Sequence, residues 1–174
     1  MPRPATLLLG RRRAAVSPLQ PGLYVAGSGS WSGTASGIGR LSGGVSYVVG
    51  DGLQWDDAGA AGEGYSLARR ANGNLVCAGT FMKSGAKTVR GIAEWDGFTW
   101  TELGTDGLVD SSYIGRRCLA IGPDDTVYSS VYKYKDVDGL GGTGYYVVKL
   151  VGTTWVSVSD YPRTSCTWEG ITAS

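Results

Sequence analysis

Three blocks of this chain repeat at an interval of 52 residues. Leu67-Ala68, Leu119-Ala120 and Ile171-Thr172 are evenly spaced, and so are Leu23-Tyr24, Leu75-Val76 and Val127-Tyr128. A period close to the range of about 20 to 50 residues marks a stacked array, in which one supersecondary unit has been copied and each copy buries its apolar face on the next. Function must therefore be sought on an array of units.

Each unit contains four short strand candidates separated by turn residues. In the second copy they are Tyr65–Arg70, Asn74–Gly79, Arg90–Trp95 and Phe98–Leu103. Asp96-Gly97 between the last two is a strong tight-hairpin signal, because both residues tolerate positive φ. The third copy gives Arg116–Ile121, Thr126–Val131, Tyr145–Leu150 and Thr153–Val158; the first gives Arg12–Ser17, Gly22–Gly27, Gly37–Leu41 and Val45–Val49. The expected organisation is a basic arm over 1–11 and one repeat domain over 12–174. Its units are 12–64, 65–115 and 116–166, and 167–173 forms a last strand. Connections 28–36, 80–89 and 132–144 form one set of loops, and 50–64, 104–115 and 159–167 form another. Equivalent loops emerge on one side of an array, so each set predicts a composite rim rather than core. Twenty-nine glycines without a triplet period fit frequent turns, and ten Tyr and six Trp fit strands. The chain is 42% apolar and 18% charged, which is the balance of a folded domain and excludes disorder.

The run Ala71-Asn72-Gly73-Asn74-Leu75-Val76-Cys77-Ala78-Gly79-Thr80-Phe81, followed by Gly91-Ile92-Ala93-Glu94-Trp95-Asp96-Gly97-Phe98-Thr99-Trp100-Thr101-Glu102-Leu103-Gly104, resembles the propeller repeat of bacterial surface and phage proteins. The third copy (Lys149-Leu150-Val151-Gly152-Thr153-Thr154-Trp155) is looser and the first (Arg40-Leu41-Ser42-Gly43-Gly44) is degenerate. The resemblance implies an all-β fold of three four-stranded antiparallel blades. It carries no shared catalytic residue, so the expectation is a non-enzymatic protein. Three blades fall short of the four to eight of ordinary propellers. An incomplete ring leaves two apolar faces wet, which predicts completion by further copies of the chain or by neighbouring proteins. The strand-like segments 5–10 and 167–173 lie outside complete units and read as templates for pairing with another chain. A β-trefoil, also built of three four-stranded repeats, is the alternative fold and would remove the shortage within one chain.

Histidine is absent, which removes Ser-His-Asp and Cys-His activation together with the commonest metal ligand. Glycoside hydrolysis needs two carboxyl groups about 5 to 9.5 Å apart. Asp56-Asp57 and Asp124-Asp125 are the candidate pairs, but both stand in turn contexts, which accounts for them better. Asp136-Val137-Asp138-Gly139 starts like a calcium loop; no acid follows to complete it, and Lys133 and Lys135 adjoin it. The glycine-rich stretches 27–33 and 139–144 lack the terminal Lys-Ser/Thr of a phosphate loop and read as turns. No cofactor or metal is expected. Trp31, Phe81, Tyr132 and Tyr134 fall in one set of loops and Trp55 and Trp168 near the other. These aromatics are candidates for stacking on sugar or for a protein hot spot, although core filling is the stronger reading. Trp95, Trp100 and Trp155 read as core, as do Cys77 and Cys118; with Cys166 the cysteines have neither disulfide nor zinc spacing.

Arg3, Arg11, Arg12 and Arg13 stand in a segment without acids, against an acidic remainder. A solvated arm, or one laid on an acidic neighbour, outweighs nucleic-acid binding here. Leu7-Leu8-Leu9 is too short for a secretory core and no run approaches the roughly 20 apolar residues of a membrane span. The combined expectation is a structural or attachment component of a phage virion, from its tail or associated with its capsid, assembled in the host cytoplasm. Its partners would be copies of itself or other virion proteins. The alternative is a bacterial cell-surface or secreted propeller that binds carbohydrate, including host surface glycan.

Overall fold

The chain folds into antiparallel β-sheets whose apolar faces are stacked on one another. The computed structural model describes residues 19–28, 30, 31, 34, 35, 37–56, 60–105, 118–133 and 144–158, and residues 30, 31, 34, 35, 132 and 133 at backbone level only. Among these residues all regular structure is β and no helix occurs. The first sheet comprises β1 (Leu23–Ala26), β4 (Ile38–Ser42) and β5 (Val45–Val48), with the short hairpin β2 (Ser30–Trp31) and β3 (Thr34–Ala35) inserted after β1. The second contains β6 (Glu63–Arg69), β7 (Leu75–Thr80), β10 (Ile92–Trp95) and β11 (Trp100–Glu102), with the hairpin β8 (Lys83–Ser84) and β9 (Lys87–Thr88) after β7. The third contains β12 (Leu119–Ile121), β13 (Val127–Lys133), β14 (Gly144–Val151) and β15 (Thr154–Ser157). The strand orders are β1-β4-β5, β6-β7-β10-β11 and β12-β13-β14-β15, each an open meander.

The turns form where local chemistry dictates. Asp96 Oδ1 accepts the backbone N–H groups of Phe98 and Thr99, each at 2.8 Å, and so closes the β10–β11 turn. Asn72 Oδ1 does the same for the Asn74 amide between β6 and β7. Strand boundaries in the second and third units match the sequence expectation to within about three residues. The expected first strand of the first unit, Arg12–Ser17, lies outside the described residues, as do the basic arm and the segment 167–173.

The second sheet is buried on both faces, and every residue of β7 is buried. Side chains alternate across a strand. Leu75 and Cys77 therefore pack toward the first sheet, with Ile38, Val49, Ala93, Trp95 and Trp100. Val76 and Ala78 pack toward the third, with Ile92, Leu103, Leu119, Val127, Tyr146 and Val148. Burial raises the Cys77 thiol to about 12, which keeps it neutral and inert. Cys118 is also buried. Backbones approach closely at the junction of the first two sheets, where the Gly64 N–H donates to Gly27 O at 3.0 Å. A Cβ on Gly64 would lie 3.1 Å from Ala26 Cβ and 3.2 Å from Cys77 Sγ.

One contact recurs at both junctions. Trp100 Nε1–H donates to Val49 O at 2.9 Å, joining the second sheet to the first. Trp155 Nε1–H donates to Leu103 O at 3.0 Å, joining the third to the second. A glycine follows each acceptor. Gly50 and Gly104 have φ of 62° and 85°, and a Cβ on either would run into the indoles that pack there. Two expectations need correction. The connections expected as rim loops contribute to the core, because Leu53, Phe81 and Val89 are fully buried between the sheets. Two of those connections also contain the hairpins β2–β3 and β8–β9, which had been expected as plain loops.

Replacing Gly104 by Ala tests this junction. The left-handed backbone and the indole behind it together predict a loss of roughly 2 to 4 kcal/mol. Urea unfolding should show a lowered midpoint, whereas an unchanged midpoint contradicts the packing.

Candidate functional site

The described polar side chains and the exposed apolar faces serve different ends. The densest polar cluster lies where the second and third sheets meet at one rim. Arg70, at the end of β6, pairs with Glu94 of β10 at 2.9 Å and with Asp125 of the third sheet at 2.8 Å. Asp125 Oδ1 also accepts the Ala71 amide at 2.8 Å, and Glu94 accepts Asn74 Nδ2 at 2.6 Å. Burial pulls the Arg70 pKa down, but its hydrogen bonds to Asp125 and Glu94 more than reverse this and hold it above its ordinary value. The guanidinium thus pins the turn before β13 onto the neighbouring sheet.

Asp125 is the one described non-glycine residue with positive φ, at 66°. Its neighbour Asp124 accepts the Thr126 hydroxyl at 2.8 Å and the Thr126 amide at 3.1 Å. These bonds hold the Asp124 carboxyl below its usual 3.8. The two acids hence act as turn and junction residues, with their lone pairs taken up by the protein itself. A shallow cleft of about 340 Å³ opens beside them, lined by Arg70, Asp124, Thr126, Leu150 and Gly152 among others. Among the described residues no group of three or more His, Cys, Asp or Glu gathers to hold a metal ion. In the other expected acid pair, Asp56 Oδ1 accepts the Ala60 amide at 2.9 Å, and Asp57 lies outside the described residues.

The aromatic candidates separate. Phe81 is 0% exposed and belongs to the core between the first two sheets, so it offers no ring face to a ligand; its position after β7 resembles a loop in sequence, but the chain folds back over it. Trp55 is half-buried in a loop closed by its own N–H to Ala60 O. Trp31 lies on β2 and Tyr132 on β13. Tyr134 and Trp168 lie outside the described residues, as do Arg3, Arg11, Arg12, Arg13, Asp136 and Asp138. Trp95 and Trp100 are buried with ring centroids 5.4 Å apart, and Trp155 packs against the second core. Of the six expected aromatics, Phe81 and Trp55 are those whose side chains the structure describes.

Sequence reasoning did not locate the two outermost faces residue by residue. Cross-strand register places Leu23, Val25, Gly39, Leu41, Ser46 and Val48 on the outer face of the first sheet. Register and the Val158 N–H bond to Val147 O place Tyr128, Ser130, Val147, Lys149, Val156 and Val158 on that of the third. The repeat allows position-by-position comparison. Leu75 and Val127 are 5% and 1% exposed, while their counterpart Leu23 is 65% exposed. Val49 and Leu103 are 4% and 9% exposed, and their counterpart Val158 is 51%. Fully burying one such side chain contributes about 1.5 to 3 kcal/mol, so each end forgoes a stabilisation that the same position supplies inside the stack. The 52-residue period carried this signal, since it says which residues occupy equivalent positions. Compared with family models, curated proteins and solved structures, the chain matches none.

Two outcomes follow for the polar cluster. Arg70→Met leaves two partly buried carboxylates facing each other and should cost roughly 1 to 3 kcal/mol at neutral pH, read by urea unfolding; no change would show that the cluster is ornamental. Because the folded-state pKa of Asp124 is depressed, its stabilisation is complete above about pH 4 and is lost as pH falls through the lower folded value. Asp124→Asn should therefore lose less stability than wild type on acidification to about pH 2. Equal losses would contradict the assignment.

Proposed function

We propose that this chain is a non-enzymatic structural or attachment component of a phage virion, built from propeller-like blades and completed by its neighbours. The observation that carries the reading is the pair of outer faces, whose repeat positions are buried within the stack and exposed at its ends. A part of an assembly has this form, because its missing burial is supplied by the next subunit. The propeller reading draws support from the four-stranded meanders of the second and third sheets, and from the burial of the middle sheet on both faces. Placement in a phage particle draws on the likeness of Ala71–Phe81 and Gly91–Gly104 to the repeat of bacterial surface and phage proteins. A role in attachment by interaction rather than catalysis fits the described carboxylates, which are committed to turns and sheet junctions.

The direct test is quantitative mass spectrometry of gradient-purified particles from a culture producing the chain. The expected result is a fixed number of copies per particle, retained through repeated purification. Absence from particles, together with binding of the purified chain to a glycan array, would overturn the reading in favour of a surface carbohydrate-binding propeller.

A further inference from the structure

We propose that Arg40 and Arg69 form a site for an acidic segment of a partner protein, on the same rim as the Arg70 cluster but at the junction of the first and second sheets. This deepens the reading above by giving the chemistry of one neighbour, and it takes from that reading only that the neighbour is a protein. Of the described arginines, Arg70 and Arg90 grip carboxylates. Among the described residues Arg40 and Arg69 donate to carbonyl oxygens alone: an Arg40 N–H to Pro21 O at 2.8 Å, and Arg69 Nε–H to Gly73 O at 3.2 Å. Their other N–H groups have no acceptor among those residues and so remain for a ligand. Arg40 is further held over the Tyr47 ring, whose centroid lies 4.5 Å from the guanidinium carbon. Cross-strand register puts Tyr24, Arg40 and Tyr47 side by side on the face toward the second sheet. Alternation along β6 puts Arg69 on the same side as Leu67, which, like Tyr24, packs against the first core. Burial raises the pKa of the Tyr24 hydroxyl while the charges of Arg40 and Arg69 both lower it, so both cations reach this one oxygen.

The repeat shows what such a rim takes. Arg40 is the counterpart of Glu94, since the two stand opposite Tyr24 and Val76, the second residues of β1 and β7. Arg69 is the counterpart of Ile121, and Gly73 of Asp125, each pair 52 residues apart. Between the second and third sheets an arginine lies between two carboxylates. Between the first and second, the strand acid is replaced by Arg40, the turn acid by a glycine and the apolar Ile121 by Arg69. All three differences make the first rim more positive, and like charges gathered without a counter-ion repel one another. Arg69 is exposed and Arg40 partly so, which leaves both open to a ligand. At the second junction the balancing charge is an aspartate presented on a turn, Asp125, whose Oδ2 lies 2.8 Å from Arg70. An aspartate or glutamate on a partner's surface supplies at the first junction what the chain's own turn supplies at the second, through the same charge-assisted contact. A neutral sugar would leave both charges unbalanced.

Fluorescence anisotropy of a labelled hexaglutamate peptide, titrated with the full chain at low salt, tests this. The expected result is saturable binding that Arg40→Gln and Arg69→Gln each weaken about tenfold. Lys149→Gln removes one positive charge from the third sheet and should leave binding unchanged. Because Arg40→Gln also gives up the contacts with Pro21 and Tyr47, Arg69→Gln at an exposed position is the second variant, and circular dichroism should show its folded sheet signal intact. No binding by the wild-type chain, or equal weakening by Lys149→Gln, would overturn the proposal. Tighter binding of inorganic phosphate or of an oligogalacturonate than of the peptide would overturn it too, by assigning the site to another class of ligand. A chain that ignores the peptide yet is found in purified particles would end the proposal while leaving the virion reading in place; one that binds the peptide through both arginines but is absent from particles would do the reverse.

Discussion

Burial of the middle sheet on both faces is the constraint on which the rest of the molecule depends. Alternation along β7 sends Leu75 and Cys77 one way and Val76 and Ala78 the other, so neither face can be formed without a neighbouring sheet. An isolated four-stranded meander would leave at least one apolar face in water, and a chain of such units is stable only as a stack. The tryptophan-to-carbonyl bonds fix how the units sit on one another, since each satisfies an indole N–H, buried in Trp100 and partly buried in Trp155, and a terminal carbonyl in one contact. A Cβ at position 104 would run into the donating indole of Trp155, and one at position 50 into the neighbouring indole of Trp95, which ties both turn glycines to the packing.

The polar groups complete this arrangement without competing with it. Arg70 takes one carboxylate from β10 and one from the turn before β13 and lies at the rim, where partial solvation keeps the cost of ionisation low. Arg90 and Glu102 make a second two-pronged pair, which holds the entry to β10 against β11. These clusters set register between strands and sheets. The apolar side chains left exposed among the described residues include Leu23 and Leu41 of the first sheet and Val156 and Val158 at the end of the third.

Much of the architecture was legible because the repeat and the turn residues speak the same language. Asp96-Gly97 and Ala71-Asn72-Gly73 mark turns by local hydrogen bonding, and local chemistry survives in any context. Assignment of Trp95, Trp100 and Trp155 to packing positions followed from their places in apolar strands. The long connections were less readable. Leu53, Phe81 and Val89 look like loop residues because no periodicity surrounds them, and only the folding of those loops over the first junction buries them. Phe81 shows why the aromatic set could not be read as a site: whether a ring faces solvent is decided by a tertiary contact. Asp125 presents a similar case, since its positive φ is held by Arg70 and Ala71 from another sheet.

The central claim is that apolar repeat positions buried inside the stack are exposed at its ends because no neighbouring sheet covers them there. Amide hydrogen exchange measured in dilute and in concentrated solution tests it most directly. The account predicts slow, concentration-independent exchange for β7 and β10, and exchange in β1, β5 and β15 that slows markedly as concentration rises. Equal protection of all three sheets in a dilute monomer would contradict it.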